Sequence, residues 1–323
     1  MISDNLYVHF PFCRRKCAYC SLYSKTCFTE GELQRYVENL IPLADGVYKT
    51  VYFGGGTPML CDIPKIACSI TAEEFTVEVH PLDVSVDSMK RLADCGVNRI
   101  SMGVQSLSGD TLERMNRHYS LLDAATAFET VKKFFSNAGI DLIVGFPGDE
   151  TSSILQLKDW GLAHLSIYSL QNERNLQNVP SDDELLDKLN FFAEEARSLG
   201  LARYEISNFA KPGCECRHNL AIWRGEDYIG LGEGAFGRIG RKRTISYGTS
   251  KFQSHEVSEK EDSLERTIFR LRTSEGLDTS AHPEWRSALD AFVAEGLLTE
   301  KRPVYFLTDR GREVCDSILA ELI

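Results

Sequence analysis

The chain has 323 residues, 43% of them hydrophobic, and a formal net charge of −11, so it can bury a large core and is poorly suited to a phosphate-binding surface for nucleic acid. No apolar run reaches the length of a membrane span, and the opening MISDNLYVHF lacks the basic start and apolar stretch of a signal peptide, so a cytoplasmic address is expected. In that setting ten cysteines point to metal binding or buried thiols rather than disulfides.

Six β-rich runs follow one another: LYVHF at 6–10, TVYFG at 50–54, FTVEV at 75–79, NRISMGV at 98–104, IDLIVGF at 140–146 and HLSIYSL at 164–170. Between them lie segments with helical spacing, such as Leu33, Val37, Leu40 and Ile41, or Met89, Leu92 and Ala93. This rhythm predicts a parallel sheet with an amphipathic crossover after each strand, doubly wound or curled into a barrel. The unusual residues fall at the carboxyl ends of these strands: CRRKCAYC after the first, GGGTP after the second, VEVHP at the third, GVQS at the fourth, DLIVGFPG along the fifth and IYSL at the sixth. In a (β/α) barrel those ends share one mouth, where such folds build active sites.

Beyond about residue 225 the rhythm changes. A glycine-rich YIGLGEGAFG and the basic turn at 240–243 precede a charged run at 256–266, expected as a solvated helix start or linker. The remainder predicts two helices, two short strands around Lys301–Pro303 and a final helix with Val314, Ile318 and Leu322 on one face, a winged-helix-like outline. From Ser263 to Ile323 there are eight Lys and Arg against eleven Asp and Glu, so a packing or lid module is favoured over DNA binding. The expected division is a barrel with its extension over 1–237 and a C-terminal module over 238–323.

Cys13, Cys17 and Cys20 form C-x3-C-x2-C on the loop after the first strand, with Tyr19 just before the third cysteine. Three thiolates leave one iron of a 4Fe–4S cluster without a protein ligand and open to a small molecule. Structural zinc would want four ligands. Gly54, Gly55, Gly56 and Thr57 then make a turn whose backbone can approach a ligand closely, and a plain tight turn would need fewer glycines. Glu78, Gln105, Arg117 and Asp141 offer polar partners at the same mouth. Asp141, inside an apolar run, should cost stability unless bonded. Cys27, Cys61, Cys68, Cys95 and Cys315 show no ligand spacing and are expected to be small core residues. Arg14, Arg15 and Lys16 could meet carboxylates, raise a cluster potential or face water.

The cysteine spacing resembles the radical S-adenosylmethionine (SAM) superfamily. That resemblance implies a partial (β/α)6 TIM-like barrel in which the amino and carboxylate groups of SAM chelate the open iron, and an electron from the cluster cleaves SAM to a 5′-deoxyadenosyl radical. The ordered series YVHFPFCRRKCAYC, YFGGGTP, VEVHP, GVNRISMGVQSL, NRHYS, DLIVGFPG, YEISNFA, CRHNLAIWRG and YIGLGEGA is similar to oxygen-independent coproporphyrinogen III oxidases and the related HemW-type heme chaperones, over residues 5 to 237. By that similarity Tyr7, a glycine of the turn and Glu78 lie at the iron-bound SAM. Gln105, Arg117 and Asp141 match positions for a second SAM, with Ser169 and Phe236 as further candidates.

Two features lean toward the chaperones. Only twelve residues precede Cys13, and Leu22 stands where the oxidases carry a fourth cysteine. The segment CRHNLAIW resembles the chaperones' HNxxYW motif, associated with heme, with Ile222 in place of the tyrosine. His218 and Cys216 are then candidate axial ligands, and Asn219, Trp223 and Tyr228 could border the macrocycle. Equally, His218 and Asn219 satisfy a buried loop and Trp223 packs in a core. The implied function is heme binding and delivery to a membrane-associated acceptor, with an electron donor for the cluster. The alternative is oxidative decarboxylation of the propionates of coproporphyrinogen III. No oligomeric state follows from the sequence.

Overall fold

The computed structural model describes residues 3–322. Strand β1 (Asn5–Phe10) leads through the cysteine loop to helix α1 (Glu30–Ala44), then β2 (Gly46–Gly55), the short α2 (Ile63–Ala67), β3 (Ile70–Val79), α3 (Val86–Asp94) and β4 (Arg99–Gln105). Helices α4 (Gly109–Arg114) and α5 (Leu121–Lys132) precede β5 (Asn137–Val144) and β6 (His164–Ser169), and α6 (Asp182–Ser198) closes the series. Strands β1 to β6 lie side by side in chain order, every neighbouring pair parallel. This is the six-strand parallel order that the βα rhythm of the sequence predicts. The crossover from β5 to β6 departs from expectation, because its only helical element is a 3-10 turn over Leu155–Trp160.

Strand alternation explains the two faces. Leu6, Val8, Phe10, Val51, Phe53, Phe75 and Val77 point toward the helices and are almost fully buried with Val37, Leu40, Met89 and Leu92. The opposite face of the same strands carries Asn5, Tyr7 and His9, Thr50 and Tyr52, Glu74, Thr76 and Glu78, and Arg99 and Ser101. The barrel is therefore apolar outside its strands and polar within. Helix α1 is started by a capping box in which Thr29 and Glu32 exchange hydrogen bonds, which satisfies two otherwise unpaired amides.

The sheet continues through β7 (Ala202–Arg203) and β8 (Asn208–Ala210), antiparallel beyond β6. Next come α7 (Arg217–Trp223) and β9 (Ile229–Leu231), which pairs parallel with β1 at the other edge. A three-stranded antiparallel sheet follows, β10 (Phe236–Ile239), β11 (Lys242–Ser246) and β12 (Phe252–Glu256). Strand β10 spans the boundary expected at 237/238. The charged run is the amino-terminal part of α8 (Glu259–Leu271), capped by Ser258.

The last part holds β13 (Leu277–Asp278), α9 (Arg286–Ala294), β14 (Leu298–Lys301), β15 (Val304–Leu307), α10 (Asp309–Glu313) and α11 (Cys315–Ala320). Its strands order β13–β15–β14 over a second apolar core that includes Leu271, Leu289, Tyr305 and Ile318. The single final helix expected from the sequence is two helices broken at Val314. Ile318 and Leu322 are buried as expected, whereas Val314 is exposed.

The cysteines also differ from expectation. Cys61 and Cys315 are buried, but Cys27 is exposed and Cys68 and Cys95 are joined in a disulfide. The cause is proximity: Cys68 follows α2, Cys95 follows α3, and these helices pack side by side. Among the described residues no helix is long and apolar enough to cross a membrane.

Candidate cofactor site at the barrel mouth

The cysteine loop is held by backbone bonds at its base and tip. Cys13 N–H donates to the Lys25 carbonyl at 3.0 Å, Cys20 N–H to Cys17 at 3.2 Å, and Ala18 N–H to Met115 at 3.1 Å. The Asn116 amide donates to the Lys16 carbonyl at 2.9 Å, so the segment after α4 fixes the loop from across the mouth.

Each glycine of the turn is required by a close approach. A Cβ on Gly56 would stand 2.6 Å from the Phe12 carbonyl oxygen and 2.9 Å from Cys13 Sγ. One on Gly55, at φ +109°, would meet the His9 ring at 2.7 Å, and one on Gly54 would press on the Glu78 carboxylate at 3.0 Å. Glu78 is held by the Tyr52 hydroxyl at 2.9 Å and the Gly55 N–H at 3.2 Å. Burial, followed by the neighbouring Asp141, pushes its carboxyl up to about 7 despite these two donors. Asp141 accepts from the Ser101 hydroxyl at 2.9 and 3.2 Å, and burial raises its carboxyl as well. The acid expected to need bonding is bonded.

Gln105 sits at φ +76° where the β4–β5 register shifts past Gly103, a conformation costly for a residue with a side chain. Arg117 is 7% exposed and makes a hub. Its Nε donates to Tyr119 at 3.0 Å, its Nη1 to Tyr19 Oη at 3.4 Å and to Cys17 Sγ at 3.8 Å, and its Nη2 to the Gly103 carbonyl. Burial opposes its charge, but Tyr19, Tyr119 and Cys17 outweigh it and raise its pKa. Burial also lifts the Cys20 thiol.

These groups line one cavity of about 990 Å³, whose wall includes Cys13, Cys17, Cys20, Tyr19, Gly55, Gly56, Thr57, Glu78, Gln105, Arg117, Asp141 and Ser169. Its size suits a nucleoside-bearing cofactor with room to spare. The residues fit a 4Fe–4S cluster with SAM beside it: three thiols open to the cavity, a glycine cradle flush against Cys13, and paired carboxylates within. Among the described residues no three His, Cys, Asp or Glu side chains are grouped to hold a single ion. A cubane takes its thiolates on different irons, so wider spacing of the three thiols suits it.

The other candidates lie elsewhere. Tyr7 lies off the cavity wall, its hydroxyl 3.0 Å from His9 Nδ1, and Gly54 likewise lies behind the wall. Phe236 is 61% exposed on β10 and does not line the cavity. Cys216, His218, Asn219 and Trp223 belong to α7 and its N-cap, which packs against Thr50 and Tyr52 in the middle of β2 and floors the barrel. Glu74 accepts from the backbone N–H of Arg217 and of His218, both at 3.0 Å. Cys216 and His218 are 0% and 1% exposed, so heme ligation by either would require α7 to leave the floor. Burial and then Arg99 lower the His218 pKa to about 3, which keeps the ring neutral. Trp223 packs edge-on to Phe269 with Arg272 over its ring.

Several lining residues were not singled out from the sequence. Tyr52 was detectable from strand alternation with Gly54. His80 and Tyr168 fell within quoted motifs but were not singled out, and Arg203, Arg272 and Arg312 reach the cavity only through tertiary packing.

Comparisons with known proteins agree with this geometry. Residues 7–161 match the model of the Radical SAM superfamily. The chain is 30% identical to the heme chaperone HemW of Lactococcus lactis subsp. lactis (strain IL1403), covering 99% of this chain and 97% of that protein. It is 29% identical to the heme chaperone HemW of Bacillus subtilis (strain 168), covering 98% and 99%. In structure it superposes on the coproporphyrinogen III oxidase HemN of Escherichia coli with a TM-score of 0.80 at 20% identity, over 98% of this chain and 89% of that one.

Proposed function

Since the chain belongs to the HemW-type heme chaperones of the radical SAM superfamily, we propose that it binds a 4Fe–4S cluster, SAM and heme, and passes heme to an acceptor protein. The observation that carries this is the single cavity in which the cysteine loop, the glycine turn and the paired carboxylates meet. When bound, the cluster supplies one open iron for chelation by SAM and one electron at a time. Cys13, Cys17 and Cys20 hold it, and Arg117 donates toward Cys17 and so offsets thiolate charge. Backbone groups of Gly55 and Gly56 and the Glu78 carboxylate would take the ammonium and ribose of SAM, and Tyr52 orients Glu78. Gln105, Asp141 and Ser169 offer further polar partners beside it. The partners are heme, an acceptor at the membrane and an electron donor, and the expected address is the cytoplasm.

Titrating heme into anaerobically reconstituted protein tests the proposal. Saturation at one heme per chain, followed by release to an apo-cytochrome, supports it, and absence of binding overturns it. The oxidase alternative rests on Gln105, Arg117, Asp141 and Ser169 lining the same cavity, and predicts turnover of coproporphyrinogen III.

A further inference from the structure

The C-terminal module completes the cavity, setting Arg272 and Arg312 beside Arg203 of the barrel's sheet extension, with Glu313 and Asp316 on the same wall. Arg203 on β7, Arg272 at the end of α8 and Arg312 on α10 all line the wall. None of the three is fully used. Arg203 spends its Nε and one Nη on the Ile206 carbonyl. Arg272 gives Nη1 to Asp316 at 2.7 Å, but that carboxylate is 86% exposed, and the Arg272 Nε is buried with no partner. Arg312 gives Nη1 to Asp309 at 2.7 Å. A guanidinium has five N–H donors, so donors remain on each.

The acids nearby, Glu313 and Asp316 on the same wall and Asp309 and Glu205 beside it, still leave guanidinium N–H donors free. Glu205, buried behind Arg203, accepts from the Ser207 N–H at 3.1 Å, and burial raises its carboxyl. Glu313 accepts from Asn190. Burial and then Arg312 hold the Arg203 pKa down to about 10, although Glu205 and Asp309 pull it the other way. Keeping such groups together on a cavity wall is costly unless an anionic ligand arrives there.

We propose that Arg203, Arg272 and Arg312 form a carboxylate-binding wall that receives the propionate groups of a tetrapyrrole, so that the C-terminal module is part of the ligand site. This rests on the heme-binding function proposed above. Guanidinium forks match carboxylates in bidentate geometry, and each charge-assisted contact should be worth about ten- to a hundredfold in affinity.

The test compares hemin with hemin dimethyl ester, whose propionates carry no charge, on the reconstituted full chain. The wild type should bind hemin at least tenfold tighter than the ester, and the Arg203→Gln/Arg312→Gln variant should lose that preference while holding the ester unchanged. Equal binding of both ligands by the wild type overturns the carboxylate wall and leaves heme binding intact, with no variant needed. A preference that survives in the double variant, or in Arg312→Gln alone should the double variant not fold, also overturns it. Failure to bind either ligand overturns the heme-binding function and the wall with it.

Discussion

The Thr50 hydroxyl lies 2.8 Å from His218 Nδ1, joining the second barrel strand to the helix that floors the barrel. The same hydroxyl donates to Asn5 Oδ1 at 2.8 Å, so His218 Nδ1 carries the proton and donates to Thr50. His218 Nε2 is buried without a partner.

His218→Ala therefore removes a packed, bonded ring from a closed interior. It should cost about 2–4 kcal/mol in urea unfolding and leave heme affinity of the folded protein unchanged. A lost or shifted Soret band in the folded variant would instead make His218 a heme ligand.

The same ring imposes a pH dependence. Its folded pKa of about 3 lies below the unfolded value, so the unfolded chain binds the extra proton first. Stability should fall as pH drops below about 6.5, by about 1.4 kcal/mol per unit from this group. Comparing unfolding at pH 7 and 5.5 in wild type and His218→Ala checks the sign, because the slope should be shallower in the variant.

Glu78 gives the opposite sign. Its carboxyl is raised to about 7, so the folded apo-protein is stabilised by the proton and loses that contribution as pH rises from the usual carboxylate range through 7. The SAM ammonium wants the charged form, so SAM affinity should weaken below pH 7 by up to about tenfold per unit. Glu78→Gln should bind SAM more weakly and without this dependence, as read by equilibrium dialysis at pH 6 and 8.

The glycine cradle is testable through iron content. Gly56→Ala puts a methyl 2.6 Å from the Phe12 carbonyl oxygen and 2.9 Å from Cys13 Sγ, so the loop must move. Reconstituted iron should fall below about half of wild type. Gly109→Ala, which meets nothing within 4 Å, should retain full iron.

The barrel and its mouth were legible because each signal was local. Period-two alternation marked the strands, C-x3-C-x2-C follows β1 within a few residues, and GGGTP and Glu78 sit at the carboxyl ends of β2 and β3. The Cys68–Cys95 bond was not legible, since it depends on α2 and α3 packing together. The helix break at Val314 interrupts a sequence whose helical spacing runs straight through. The place of His218 was equally hidden: nothing in CRHNLAIW tells that Glu74, on β3, caps its helix from inside the barrel. Arg203 and Arg312 are over a hundred positions apart and converge only when the C-terminal module docks.

The most direct test of the chaperone function places coproporphyrinogen III, SAM and a reductant with the reconstituted protein, and heme in a parallel sample. The account predicts stoichiometric heme binding and no protoporphyrinogen at catalytic turnover. Multiple turnovers of product would contradict it and make the chain an oxidase.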